Sequence, residues 1–90
     1  MLEQARDLVH QALSPGGDQP SDAQRTDLLT QAKTLAQKSP DTRTRGHRVR
    51  AIHDIVAALF ELQRGDPDNK AKDYIRDADS ELRTAISIAK

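Results

Sequence analysis

The sequence predicts an all-α protein, a small four-helix antiparallel bundle with helix 3 central. Three observations carry that expectation. Apart from Gly46, glycine and proline fall in three clusters, at 14–20, 39–41 and 65–68. The stretches between them carry apolar residues three and four apart, the period of an amphipathic helix. None shows the alternation of a β-strand. The 90 residues suit one domain, 1–90, with helices near 2–13, 21–38, 40–64 and 67–89.

The first helix is read from Leu2, Ala5, Val9 and Ala12, with Leu8 and Leu13 beside them. It ends at Ser14-Pro15-Gly16-Gly17, a flexible break. The second opens on Ser21-Asp22-Ala23-Gln24, which fits a capping box: the Ser21 hydroxyl and the Gln24 amide each satisfy a free backbone amide. Its apolar stripe is Leu28, Ala32 and Leu35, flanked by Leu29 and Ala36.

Helix 3 has two stripes, Val49-Ile52-Val56-Leu59 and Ala51-Ile55-Ala58-Leu62. With Phe60 they merge into an apolar arc of about 200° at ~100° per residue. One neighbour cannot cover that width, so helix 3 should touch at least two others. Ile52, Ile55, Val56 and Leu59 are expected to be the most buried residues. Helix 3 either starts near Pro40 with Ser39 as its cap, the favoured reading, which makes Gly46 a small residue at a close helix crossing, or starts near His47 with 42–46 as loop. Gly65 suits the left-handed residue that closes a helix. Asp66 then reads as the cap of helix 4, with Pro67 at its first position, where the missing N–H is harmless. Helix 4 runs Ala71, Ile75, Ala78, Leu82, Ala85 and Ala89, a regular seam that Tyr74 and Ile86 widen.

Composition narrows the function. Leu, Ile, Val and Phe make up only 18 of the 90 residues, so the core is thin. Fourteen basic and fourteen acidic side chains cancel, which favours a folded chain over a self-repelling one. There is no cysteine, hence no disulfide, thiol nucleophile or thiolate metal site. No apolar run reaches the roughly 18 residues of a membrane span, and MLEQARDLVHQAL is too charged for a secretory leader. A soluble, cytoplasmic protein without membrane contact is expected.

No constellation for catalysis emerges. His47 and His53 point about 120° apart on one helix, and Asp7 with His10 gives two metal ligands where zinc needs three or four. All three histidines read as solvated helix residues. The run Asp66-Pro67-Asp68-Asn69-Lys70 fails as a calcium loop because a lysine stands at the fifth position. Arg64-Gly65-Asp66 spells an adhesive tripeptide, but a helix end and a cap account for it. The pairs Asp73/Asp77 and Asp77/Glu81 have Arg76 and Arg83 nearby and read as a mixed-charge face. The sequence has no nucleophile elbow, phosphate loop or zinc-protease motif. It therefore predicts no enzyme, no metal and no cofactor. The stretch AALFELQRGDPDNKAKDYIRDADSEL has no second copy at a fixed period, so it is no repeat array.

Charge is the strongest asymmetry. Residues 33–50 carry Lys33, Lys38, Arg43, Arg45, Arg48 and Arg50 against Asp41, while 66–81 carries an acidic excess. Separated charge suits self-association or a charged partner. The expected function is protein–protein interaction, either as a homodimer or as an adaptor to a larger partner, with Arg43, Arg45, Arg48 and Arg50 as partner-binding residues. The alternative is a nucleic-acid-binding or regulatory module using the same 43–50 segment. No aromatic residue interleaves those arginines to stack on bases, which disfavours it.

Overall fold

The computed structural model describes residues 2–13, 21–39 and 42–89, so the break at 14–20 and the helix start at Pro40 lie outside the described residues. Among the described residues four helices follow in order: α1 (Leu2–Leu13), α2 (Asp22–Lys38), α3 (Arg45–Gln63) and α4 (Ala71–Ala89). A 3-10 turn, Thr42–Thr44, precedes α3. Among the described residues there is no strand. The all-α bundle is as the periodicity predicts.

The helices close into a ring: α1 packs on α2 and α4, and α3 packs on the same two. Each helix thus has two neighbours, and among the described residues nothing joins α1 to α3 directly. The Arg25 Nε donates to the Ala12 carbonyl at 3.2 Å, tying the end of α1 to the start of α2. An Arg43 Nη2 donates to the Ala89 carbonyl at 3.3 Å, setting the approach to α3 beside the end of α4.

The core alternates small and large side chains. Ala5, Ala12, Ala32, Ala51, Ala58, Ala71, Ala78 and Ala85 are fully buried beside Val9, Leu29, Ile55 and Leu82. Alanine lets helices approach closely, so a chain poor in large apolar residues still fills its interior. The seam of α1 is the one read from the sequence, and that of α4 holds from Ala71 to Ala85, with Asp79 buried beside it and Ala89 only half-buried. On α2 the buried stripe is Leu29, Ala32 and Ala36, with Leu28 and Leu35 half-buried at its edge.

Local chemistry sets the ends. The capping box forms as expected: Gln24 N–H donates to Ser21 Oγ at 3.2 Å, and Ser21 N–H donates to Gln24 Oε1 at 2.9 Å. Gly65, at φ 85°, closes α3. Its N–H donates to Leu62 O, and Asp66 N–H donates to Glu61 O, the paired bonds of a Schellman end.

Three expectations need correction. Helix α3 begins at Arg45, because residues 42–44 take the tighter 3-10 turn and Thr44 gives no side-chain cap. Gly46 is in the helix, but a methyl added there meets nothing within 4 Å, so it marks no close crossing. Helix α4 begins at Ala71 rather than Pro67. Asp66 (φ 50°) and Asn69 (φ 55°) are left-handed, a conformation that Asp and Asn tolerate but a helix does not. Asn69 N–H closes a turn on Asp66 O at 3.2 Å, with Pro67 second in that turn, where its fixed φ is favoured. Asp66 still caps α4 from outside, accepting the Ala71 N–H on Oδ1 at 3.0 Å.

Candidate functional site

The four arginines of the 43–50 segment do not form one patch. Arg43 is exposed in the 3-10 turn and holds the end of α4, while Arg45 and Arg50 are exposed on α3. Arg48 is only 9% exposed. Its Nε donates to the hydroxyl of the fully buried Thr44 at 2.9 Å, and Nη1 donates to the Ala36 carbonyl at 3.3 Å. A guanidinium there satisfies a carbonyl at the end of α2 and complements the negative pole of that helix. Arg48 therefore works inside the fold. At ~100° per residue, Arg50 points about 200° away from it.

Much of the acidic excess of 66–81 is likewise engaged, while Asp68 and Asp77 stay exposed. Asp79, buried between α1 and α4, lies 3.3 Å from Arg6 Nε and 3.0 Å from Arg83 Nε. The Arg6 pair is close without being aligned as a hydrogen bond. Asp73 lies 3.6 Å from Arg76. His47 Nδ1 meets Glu81 Oε2 at 2.7 Å across α3 and α4, so His47 is half-buried and partnered rather than simply solvated. His10 is half-buried too, with its Nδ1 buried and unpartnered, and only His53 is exposed. Asp54 has its carboxyl raised above the ordinary aspartate range, chiefly by burial and then by repulsion from Asp77 and Glu81, with His53 opposing. Among the described residues no group of three or more His, Asp or Glu could hold a metal ion.

Shallow depressions mark the surface of the described residues. A groove of about 560 Å³ between α1 and α4 is lined by Glu3, Arg6, Asp7, Arg83 and Ile86. Both of its guanidiniums turn onto Asp79, which leaves no convergent charge for a ligand. A shallower depression of about 300 Å³ lies on α2, by Thr30, Gln31, Thr34 and Leu35. Its threonines bond carbonyls of their own helix: Thr30 to Thr26 O at 2.7 Å and Thr34 to Thr30 O at 3.1 Å.

The site that sequence reasoning missed is the outer face of α3. Of the four residues expected deepest in the core, only Ile55 is fully buried. Ile52 and Leu59 are half-buried, and Val56 is 45% exposed. Val49 is 41% exposed and Phe60 56%. At ~100° per residue, Val49, Val56 and Phe60 lie within about 40° of one another, so they make one stripe. Ile52 borders it. Arg64 stacks on the Phe60 ring at 5.4 Å, with Glu61 Oε1 3.8 Å from its guanidinium. The signal was in the sequence: Val49 with Val56 and Ile52 with Leu59 repeat at seven residues, the spacing of a helix-docking seam. The buried alanines, Ala51 and Ala58, stand on the other stripe.

No helix among the described residues is long and apolar enough to cross a membrane. No family model matches the chain, and comparisons with curated proteins and with solved structures find no match.

Proposed function

We propose that this is a non-enzymatic helical-bundle protein that works by binding protein through the outer face of α3. One observation carries the reading: three large apolar side chains, Val49, Val56 and Phe60, lie exposed in a single stripe on a helix whose opposite face is core. Contiguous apolar surface rimmed by polar residues is the usual mark of an interaction site. Arg45 and Arg50, from the basic segment, flank the stripe. The proposal includes a cytoplasmic location, since a cysteine-free chain needs no oxidising compartment.

A photo-crosslinking residue placed at position 56, and separately at the exposed position 30 of α2, tests this in the native cell. A discrete protein adduct from position 56 and none from position 30 is the expected result. Equal labelling from both, or none from either, would refute it. Nucleic-acid binding is the competing reading. Arg48 is committed to the fold, and Arg45 and Arg50 lie about 140° apart on the helix. Affinity for DNA or RNA at about 150 mM salt should then be no tighter than the 10⁻⁴–10⁻⁶ M typical of non-specific contacts. Nanomolar, sequence-selective binding would replace the protein-binding proposal.

A further inference from the structure

We infer that the partner at this face is an acidic amphipathic helix of a different protein, not a second copy of this chain. The inference rests on the docking role proposed for α3. The exposed residues of α3 are Arg45, Gly46, Val49, Arg50, His53, Val56, Phe60 and Gln63, and Arg64 follows at its end. That surface is apolar and cationic, with no exposed carboxylate. The two acids of α3 are turned away: Glu61 is buried, and Asp54 is half-buried near Asp77 and Glu81 of α4. Arg45 and Arg50 form no ion pair among the described residues.

Size and register fit a helix. From Val49 to Phe60 the stripe is about 17 Å long, three turns of α-helix. Val49, Ile52, Val56 and Phe60 follow the 3- and 4-residue steps by which one helix reads another. A ligand helix needs an apolar spine to cover this stripe and carboxylates on its flanks to meet Arg45, Arg50 and Arg64.

The described residues offer no such surface to a second copy of this chain. Among the described residues the exposed large apolar side chains are Val49, Val56 and Phe60 on α3 and Ile88 on α4. Two copies of α3 face to face would set arginine against arginine in either direction, and like charge across an apolar contact selects against the pairing. The exposed acids Glu3, Asp7, Asp22 and Asp27 lie on α1 and α2, which have no exposed large apolar residue to form a spine. Asp68, Asp73 and Asp77 lie before and on α4, where the one exposed large apolar residue, Ile88, stands three turns beyond Asp77 and makes no spine.

Two labelled probe peptides of about 18 residues, or five turns, test the inference. Both carry leucine and isoleucine on one face; one has glutamate on the other face and its twin has lysine. Fluorescence anisotropy follows their titration with the intact chain, and sedimentation follows the chain alone. The glutamate peptide should bind about tenfold tighter than the lysine peptide, as a few exposed charge pairs allow. Its affinity should fall with added salt. The double variant Arg45→Glu, Arg50→Glu should reverse the preference, and Val56→Gln should weaken both peptides. Should the double variant fail to fold, the salt dependence of the native chain still reads the charge contribution. Equal affinity for both peptides would overturn the acidic partner while leaving the docking face intact. A concentration-dependent dimer abolished by Val56→Gln would overturn it in favour of a second copy. No peptide binding and no self-association would sink the docking reading as well.

Discussion

Ile55 and Val56 are adjacent, both apolar and both β-branched, yet Ile55 is wholly buried and Val56 is 45% exposed. They belong to the two stripes of α3. The inner stripe, Ala51-Ile55-Ala58-Leu62, alternates small and large, so α2 and α4 close onto it. The outer stripe, Val49-Ile52-Val56-Phe60, contains no small residue and is left half-buried or exposed. The comparison teaches that a wide apolar arc does not by itself call for more neighbours within the chain. In a ring of four helices each helix is flanked on two sides, and whatever arc remains is available to something else.

The largest expected effect is on the inner stripe. Ile55→Asp places an unpaired charge in a fully buried position and should abolish cooperative unfolding. The cost of several kcal/mol is comparable with the about 5–15 kcal/mol total stability of a small domain. A melting curve close to that of the native chain would show that the inner stripe does not hold the fold.

The arginines divide in the same way, Arg48 inward and Arg50 outward. Arg48→Met keeps the apolar stem but removes the donors to Thr44 and Ala36, and should cost about 1.5–3 kcal/mol. Arg50→Met, on exposed surface, should stay within about 0.5 kcal/mol. Equal losses in denaturant titrations would mean that the buried arginine is no more structural than the exposed one.

Gly46 sharpens the contrast, because its added methyl would meet nothing. Gly46→Ala should stabilise the chain by up to about 1 kcal/mol through the entropy of the unfolded state. A loss would reveal a close contact at the start of α3.

The smallest effect concerns pH. The Asp54 carboxyl is raised above its ordinary value, so the folded chain binds this proton more tightly than the unfolded chain does. Its contribution to stability is then present at low pH and lost as pH rises through the raised value. Asp54→Asn should therefore melt above the native chain at neutral pH, and the gap should narrow as pH falls toward the ordinary aspartate range. A variant no more stable than the native chain at neutral pH would contradict the assigned causes.

What could be read from the sequence follows the range of the forces. The Ser21–Gln24 capping box and the Gly65 helix end are local, and residues five or fewer positions apart determine them. The seams of α1 and α4 are narrow enough to admit one buried face each. Other features depend on partners distant along the chain. Arg48 looks like part of a basic cluster until α2 brings the Ala36 carbonyl, twelve residues back, against it. Asp79 and Glu81 look like part of an exposed mixed-charge face until Arg6 and His47 reach them. On α3 the period shows where the apolar residues point, but only the positions of α2 and α4 decide which stripe they cover. The late start of α4 was hidden because Asp66 and Asn69 adopt left-handed angles that composition alone favours without requiring.

Helix α3 has two apolar faces, and only the inner one packs against α2 and α4. Thermal unfolding of the triple variant Val49→Gln, Val56→Gln, Phe60→Gln tests it most directly. If the outer face is reserved for a partner, the variant loses little beyond the stacking of Arg64 on Phe60, about 0.5–1 kcal/mol. It then melts cooperatively within about 4–8 °C of the native chain. Loss of the cooperative transition would show that the outer face belongs to the core, and the proposed docking surface would fall with it.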